Sequence, residues 1–524
     1  MNYLYPIIKA DYLQRSRSYA FLITLAVTIY AAWSFVPPPE ANYTTLTMVG
    51  YKGVYNSAWV GHVTALMSTL ILSLCGFFLV VDGIKKDVDT EVGLIIATTP
   101  ISNFGYLLSK LFSNFLILLT ISGLAFLVGI LMFFVRSSGY PFHIVDFLLP
   151  YLLMVLPAMF LVSGLAILAE VFLGRKSVLQ YLLFFFIFGA LMSNVNNNTK
   201  NPMVTVADGI GIRNVLNSVK EKVNAEFNQS IKTVSLGYTI HRKRTFKTFV
   251  WEGVSWSGVF LFSRALWISL MVGLIYLSSF FFHRFDFKQP IKKEKKKTQE
   301  GILEEAATPY PGFNKSLLPP ISAAYGIIPF IRTELLLMVR KDSKWLWAVN
   351  AGLWVATLFV PLSFSYSFLL PVLLFLQVSR ISELATKEKT NRVHYFTYAS
   401  YKPLQRMLPA QIIAAFCLLV VLALPVIARL LITPNLIAVL QVLNGSMLIV
   451  LLSVCLGILT GSKKLFEILF FALTYMVFQR IPQAHYLGAM AFENFGGMMV
   501  IVFMINILLL ISSFAVRNYQ TRNL

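Results

Sequence analysis

The polar segment between Asp82 and Lys110 is where this sequence could do chemistry. It reads Asp82-Gly83-Ile84-Lys85-Lys86-Asp87-Val88-Asp89-Thr90-Glu91-Val92-Gly93, then Leu94-Ile95-Ile96-Ala97-Thr98-Thr99-Pro100-Ile101-Ser102. Acidic residues alternate with apolar ones, and a small apolar block ends at Pro100. That pattern suits recognition rather than catalysis. A short surface helix would dock into a groove on a cytoplasmic partner, with apolar anchors giving affinity and charges setting register. An ordinary solvated loop is the competing reading. A second residue stands out because of its cost: Arg264 lies about a third of the way into the apolar run Trp256–Phe282. A charge at a helix centre costs roughly 2.5–3.5 kcal/mol on insertion scales. It either lines a path for an anionic or amphipathic substrate or pairs with the adjoining polar loop. Asp146, Glu170, Arg429 and Glu467 sit near the ends of apolar runs, where snorkelling makes a charge cheap.

Enzymatic chemistry is not readable. Gly-x-x-x-x-Gly-Lys-[Ser/Thr] does not occur, and the nearest stretch, Gly457 to Lys464, has the wrong glycine spacing. The six histidines are scattered and form no His-Glu-x-x-His. Cys75, Cys417 and Cys455 lie far apart inside apolar runs, as packing residues do. The expectation is therefore no catalytic residue, no metal and no cofactor held by this chain.

The elements that must position these residues are membrane helices. Of 524 residues, 57% are hydrophobic and 13% charged, against about 25% charged in a soluble domain. The net charge of +21 falls in short clusters between apolar runs, which argues against a nucleic-acid partner and for the Lys/Arg bias of cytoplasmic loops. A span needs roughly 20 apolar residues. Candidate runs are Tyr19–Val36, Trp59–Val81, Leu107–Val135, Val145–Leu173, Val178–Met192 and Trp256–Phe282, then Leu346–Leu362, Phe364–Val378, Gln411–Leu431, Leu436–Leu459, Leu465–Phe478 and Met498–Val516. The expected fold class is all-α, a polytopic membrane protein of about twelve transmembrane helices in two six-helix halves. Lys9, Arg15 and Arg17, the basic turns at Arg175-Lys176 and Lys463-Lys464, and Arg517 and Arg522 then share one side, the cytoplasm, with both termini. The first apolar run follows a basic segment and reads as an uncleaved span. Residues 194–251 form an external insertion in spite of Arg213, Lys220, Lys222, Lys232 and Arg242-Lys243-Arg244, because long loops translocate largely regardless of charge. Its stretch 214–235 has helical amphipathicity and is expected to cap the external face.

The two halves read as one unit used twice: residues 1–283 and 326–524, joined by a cytoplasmic linker over 284–325 that carries Lys292-Lys293-Glu294-Lys295-Lys296-Lys297. That run is a solvated tether or a contact with anionic lipid headgroups. Asp11 precedes Arg17 as Glu334 precedes Arg340, six positions apart in each case. Gly174-Arg175-Lys176-Ser177 parallels Gly461-Ser462-Lys463-Lys464, and Thr90–Pro100 aligns with Thr390–Ser400. With six spans per half the repeat is parallel.

These features resemble the permease subunits of ABC exporters of the second type. The resemblance rests on the interfacial helix Lys9–Ser18, on Glu91-x-Gly93 followed by Ala97-Thr98-Thr99-Pro100-Ile101-Ser102 and Lys110, on the basic turn Gly174–Ser177 before a short fifth span, and on the external insertion. It implies a multi-pass protein of the plasma membrane (a bacterial inner membrane). It further implies a separate ABC ATPase chain, acting as a dimer, that binds the ATP and drives export of an unidentified substrate. The residues carried over to an ATPase-coupling loop are Asp87, Asp89, Thr90, Glu91, Gly93 and Pro100, with Glu388, Lys389 and Thr390 in the second half. There the Glu, Gly and Pro are missing, which puts symmetrical ATPase contacts in doubt. Two other classes compete. A twelve-helix secondary transporter would need charged relays inside the membrane and a shorter basic loop between the second and third spans. A non-transporting sensor or scaffold would use the external insertion.

Overall fold

The computed structural model describes residues 4–522 except 39, 42, 49, 138, 175, 194–200, 229–230, 232–233, 241–245, 283–325, 342–343, 434, 479–484 and 489–494. The linker over 284–325 with its lysine run, Arg175, Lys232 and the Arg242-Lys243-Arg244 cluster lie outside the described residues.

The first part of the chain forms α1 (Leu4–Ser16), α2 (Tyr19–Phe35), α3 (Ser57–Val80), α4 (Gly83–Asp89), α5 (Val92–Ala97), α6 (Asn103–Arg136), α7 (Val145–Pro150), α8 (Leu156–Leu173), α9 (Ser177–Ser193), α10 (Pro202–Ala207), α11 (Ile212–Phe227) and α12 (Gly258–Phe281). The second part forms α13 (Ile328–Arg340), α14 (Lys344–Phe359), α15 (Leu362–Phe364), α16 (Leu370–Phe375), α17 (Val378–Ile381), α18 (Lys387–Thr390), α19 (His394–Tyr398), α20 (Pro403–Ile432), α21 (Leu436–Thr460), α22 (Lys464–Phe478) and α23 (Phe495–Arg522). Short π turns, Tyr151–Val155 and Ser365–Leu369, join α7 to α8 and α15 to α16. Each precedes a proline, Pro157 or Pro371, whose missing N–H loosens the helical ladder there.

Every apolar run read from the sequence is helical over most of its length, with Leu346–Leu362 broken at Val360–Pro361. Among the described residues, seven helices are long and apolar enough to cross a membrane, and an eighth arises if α1 and α2, bent by 72° at their junction, are taken as one span. The chain is thus an all-α membrane protein in its main body. The bend has a local cause: Ser18 sits in extended backbone and its Oγ accepts from Phe21 N at 3.2 Å, capping α2 afresh. Of the remaining runs, α9 and α22 have 17 and 15 residues, or about 26 and 22 Å at 1.5 Å per residue. These fall short of a hydrocarbon core of about 30 Å.

The packing order recurs along the chain. The first short helix of each part lies on a long helix further along (α1 on α6, α13 on α20). That helix packs on the next long one (α6 on α8, α20 on α21), which in turn packs on the last (α8 on α12, α21 on α23). The two sets meet where α3 and α9 face α22. Aromatic rings fill that seam: Phe77 stacks on Phe184 at 4.1 Å, Phe78 meets Phe471 at 4.3 Å, and Phe188 meets Tyr475 at 5.5 Å.

A cap sits over the N-terminal end of α3, opposite α4 and α5 at its other end, about 36 Å away for 24 residues. Its helix α11 buries Ile212, Val215, Leu216, Val219 and Val223, a stripe at helical spacing. Of the amphipathic stretch expected over 214–235, the part up to Phe227 lies in this helix, whereas Ser235 opens a strand. The cap also contains strands the sequence reading did not foresee. Strand β1 (Tyr43–Thr47) pairs antiparallel with β3 (Ser235–Ile240), and β2 (Tyr51–Gly53) pairs parallel with β4 (Lys247–Phe249). Strands β1 and β2 are thereby tied to the insertion, and Asn56 Nδ2 donates to Trp251 O at 2.7 Å.

Close backbone approach holds the cap end together at Gly61, where a Cβ would overlap the carbonyl oxygen of Asp146. Overpacking of this kind costs about 1–3 kcal/mol. Gly61→Ala is therefore expected to lower the thermal unfolding midpoint in detergent, whereas Gly189→Ala, with open space at its Cβ, leaves it unchanged.

Candidate coupling site

The Asp82–Lys110 segment folds as two short helices around a left-handed residue. Glu91 has φ +60° between α4 and α5. The root of α4 is held by a residue far along the chain. Glu170, buried near the end of α8, accepts from the backbone N–H groups of Gly83 (3.0 Å), Ile84 (2.8 Å) and Lys85 (3.0 Å). A carboxylate there satisfies three orphan donors and complements the helix dipole. The middle of α4 is held by Lys110 of α6, 3% exposed, which pairs with Asp87 at 2.7 Å and with Asp11 of α1 at 2.6 Å. Tyr106 Oη donates to the same Asp87 carboxylate at 2.7 Å. Nearby, Arg15 Nη1 donates to Asn114 Oδ1 at 2.8 Å.

The acidic row read from the sequence therefore divides. Asp87 faces inward and clamps α1, α4 and α6 together. Asp89, Thr90 and Glu91 are exposed, as is Pro100, whereas Gly93 is buried within α5. Thr90 Oγ1 donates back to Lys86 O at 2.8 Å. The tip presents Val92, Leu94 and Ile95 to the outside, with Ile95 68% exposed.

The second loop has the same shape without the same residues. Helices α18 and α19 flank Arg392, which has φ +56°. The tip exposes Val393, Tyr395 and Phe396, the last 81% exposed. Its clamp is built with the charges exchanged. Lys387 of α18 pairs with Glu334 of α13, where the first loop places Asp87 and takes its lysine from α6. Glu388, buried, accepts from Gln411 Nε2 of α20 at 2.7 Å. Lys389 is half-buried, and Thr390 is exposed with its Oγ1 on Thr386 O at 3.0 Å. Arg517 of α23 donates to Ala385 O at 3.1 Å and lies over the Tyr398 ring at 4.9 Å. Both loops, α1 and the C-terminal end of α23 thus share one end of the molecule. The exposed first tip carries Asp89 and Glu91, and the second carries Lys389 and Arg392.

The roots of both loops converge on the start of α22. Lys464 pairs with Asp82 and lies 3.8 Å from Glu467. Glu467, 1% exposed, accepts from Tyr181 Oη of α9 at 2.7 Å and from Ser382 Oγ at 3.2 Å. Beside them Glu383 bridges Lys341 at 2.5 Å and Lys463 at 2.8 Å. Burial pushes the Glu383 carboxyl up, but the Lys463 and Lys341 charges outweigh it and hold it down at about 2. An ordinary Glu titrates at about 4.3, so this carboxylate stabilises the fold fully above that pH and loses its contribution as pH falls toward about 2. The parent is thus expected to unfold at a higher temperature than Glu383→Gln at pH 7, with the gap narrowing below about pH 4 and closing only at about pH 2. A gap of constant size down to that pH would contradict the bridge.

Arg264 is placed at the cap. Its guanidinium, buried near the start of α12, donates to the carbonyls of Gly209 (2.9 Å) and Asp208 and to Ser263 Oγ (3.0 Å), with the Phe260 ring 4.9 Å away. Among the described residues no group of three or more His, Cys, Asp or Glu side chains is arranged to hold a metal ion. Glu170 and Glu467 were not singled out from sequence for these roles. The one signal available was a carboxylate at the end of an apolar run, which lacks a visible partner until the fold supplies it.

No protein-family model, curated protein or solved structure matches this chain.

Proposed function

We propose that this chain is the membrane-spanning permease of an ATP-driven exporter of the ABC type, with twelve spans in two six-helix halves and both termini in the cytoplasm. The two loops dock a separate ATPase dimer on the cytoplasmic face of the plasma membrane. One observation carries the reading. Two helix–elbow–helix loops lie at the same end, each with an apolar tip, and both are rooted on α22 at the seam between the helix sets. Rigid clamps at Lys110 and Lys387 make each loop a lever rather than a flexible tether. A push on either tip would reach Asp82 or Ser382, and through Lys464 and Glu467 the aromatic seam. Parting that seam is the step that opens a path for substrate.

The test is co-expression with the ABC ATPase encoded in a neighbouring reading frame, followed by pull-down from detergent. Association is expected for the parent and its loss for Glu91→Ala combined with Gly93→Pro; association that survives both changes rules out the docking assignment. A cysteine replacing Asn217 should label from outside the cell, and labelling only from the cytoplasm would invert the topology.

A further inference from the structure

The two loop tips carry charges of opposite sign, and we propose that they select two unlike ATPase subunits: one with a basic groove on the first loop, one with an acidic groove on the second. The inference rests on the docking reading and adds that the ATPase is a dimer of non-identical subunits.

The elbow residues carry it. Glu91 and Arg392 occupy matching places, between α4 and α5 and between α18 and α19, with φ +60° and +56°. Such backbone is strained for a residue with a Cβ and free for glycine. Each loop nonetheless puts an exposed charged side chain there, and the two charges are opposite. The flanking residues follow the elbows. Over 88–102 the charged residues are Asp89 and Glu91, both exposed, and no base occurs. Over 389–406 they are Lys389, Arg392, Lys402 and Arg406, and no acid occurs. Of these, Arg392 and Lys402 are exposed.

The charges of the other sign nearest each tip are engaged at the loop roots. Lys85 Nζ donates to Ser177 Oγ at 3.4 Å, and Lys86, though exposed, interacts with the clamp charges Asp11, Asp87 and Lys110 and with Arg15. In the second loop Glu388 and Glu334 are buried, one accepting from Gln411 and the other paired with Lys387. The apolar anchors differ as well. Val92, Leu94 and Ile95 are aliphatic, whereas Tyr395 and Phe396 are aromatic. A groove basic enough to attract Glu91 repels Arg392, and like charges brought into contact are a strong bar to the wrong partner. Two identical subunits present identical grooves, so a symmetric ATPase dimer would match one tip and oppose the other. Two unlike subunits match both.

The test is photo-crosslinking of the full chain in its native cells, with benzoylphenylalanine placed at Thr90 or at Asn391, each exposed beside its elbow. Mass spectrometry then identifies the cross-linked peptides. Peptides from two different ABC ATPase sequences are expected, each favouring its own tip by about tenfold or more. Arg392→Glu, which gives the second elbow the residue of the first, should draw the first tip's subunit to the Asn391 position; Glu91→Arg is the reciprocal variant. One ATPase sequence at both tips of the parent, or an ATPase at one tip alone, would overturn the inference while leaving an ATPase partner in place. Partners unchanged by both reversals would overturn charge as the selector and the inference with it. ATPase peptides at neither tip would overturn the docking reading as well.

Discussion

Replacing Lys110 by methionine is expected to destabilise the protein by about 3–5 kcal/mol, the cost of removing one partner from a buried ion pair. The ammonium lies between the Asp11 and Asp87 carboxylates, which are 14% and 10% exposed. Without it two buried anions face each other across the junction of α1, α4 and α6. The neighbouring Arg15 is already bonded to Asn114 and cannot replace both contacts. Helix α1 should detach first, because it packs mainly on α6. The measurement is thermal unfolding in detergent together with limited proteolysis before Ser18. The triple variant Lys110→Met with Asp11→Asn and Asp87→Asn should recover much of the loss, since neutral amides carry no uncompensated charge. A single variant as stable as the parent would show that the triad does not hold the loop.

A loss of similar size is expected for Lys464→Met at the seam. This removes the cation shared by Asp82 and Glu467, and Glu467 is only 1% exposed. Breaking a buried pair in this way costs about 3–5 kcal/mol. The Tyr181 and Ser382 hydroxyls still donate to Glu467, so its carboxylate keeps two hydrogen bonds, whereas Asp82 loses its ion-pair partner. Most of the penalty therefore belongs to Asp82. Adding Asp82→Asn should restore most of the stability, and the coupling energy from that double-mutant cycle measures the link between the two helix sets directly. Strict additivity of the two changes would mean that the pair is not coupled.

The apolar runs made the helices legible, because about twenty residues without charge leave few alternatives. The loop at 82–102 was also legible as a distinct polar segment, and Asp89, Thr90 and Glu91 are exposed in it. The inward turn of Asp87 was not legible. Helix α4 has seven residues, too few for a periodic pattern to tell its faces apart. The second loop looked degenerate by its residues yet keeps the shape. Its left-handed elbow is an arginine, Arg392, where a turn signal would ordinarily be glycine or asparagine. Its clamp exchanges the signs of its charges, so residue identity hid a geometry that the two loops share. The strand pairing of the cap joins segments some 190 residues apart, and strands of three to six residues carry little alternation to read.

In the proposed function, an ATPase engages this membrane protein at the apolar tips of both loops. Ile95 and Phe396 are the most exposed apolar side chains of α5 and α19, so an aspartate at either would place a charge in an apolar contact without disturbing a clamp. The direct measurement is ATP hydrolysis by the partner ATPase in vesicles containing the parent or the double variant Ile95→Asp/Phe396→Asp. Stimulation by the parent and its fall by about tenfold or more in the variant, at unchanged thermal stability, is the predicted result. Equal stimulation by parent and variant would contradict the claim.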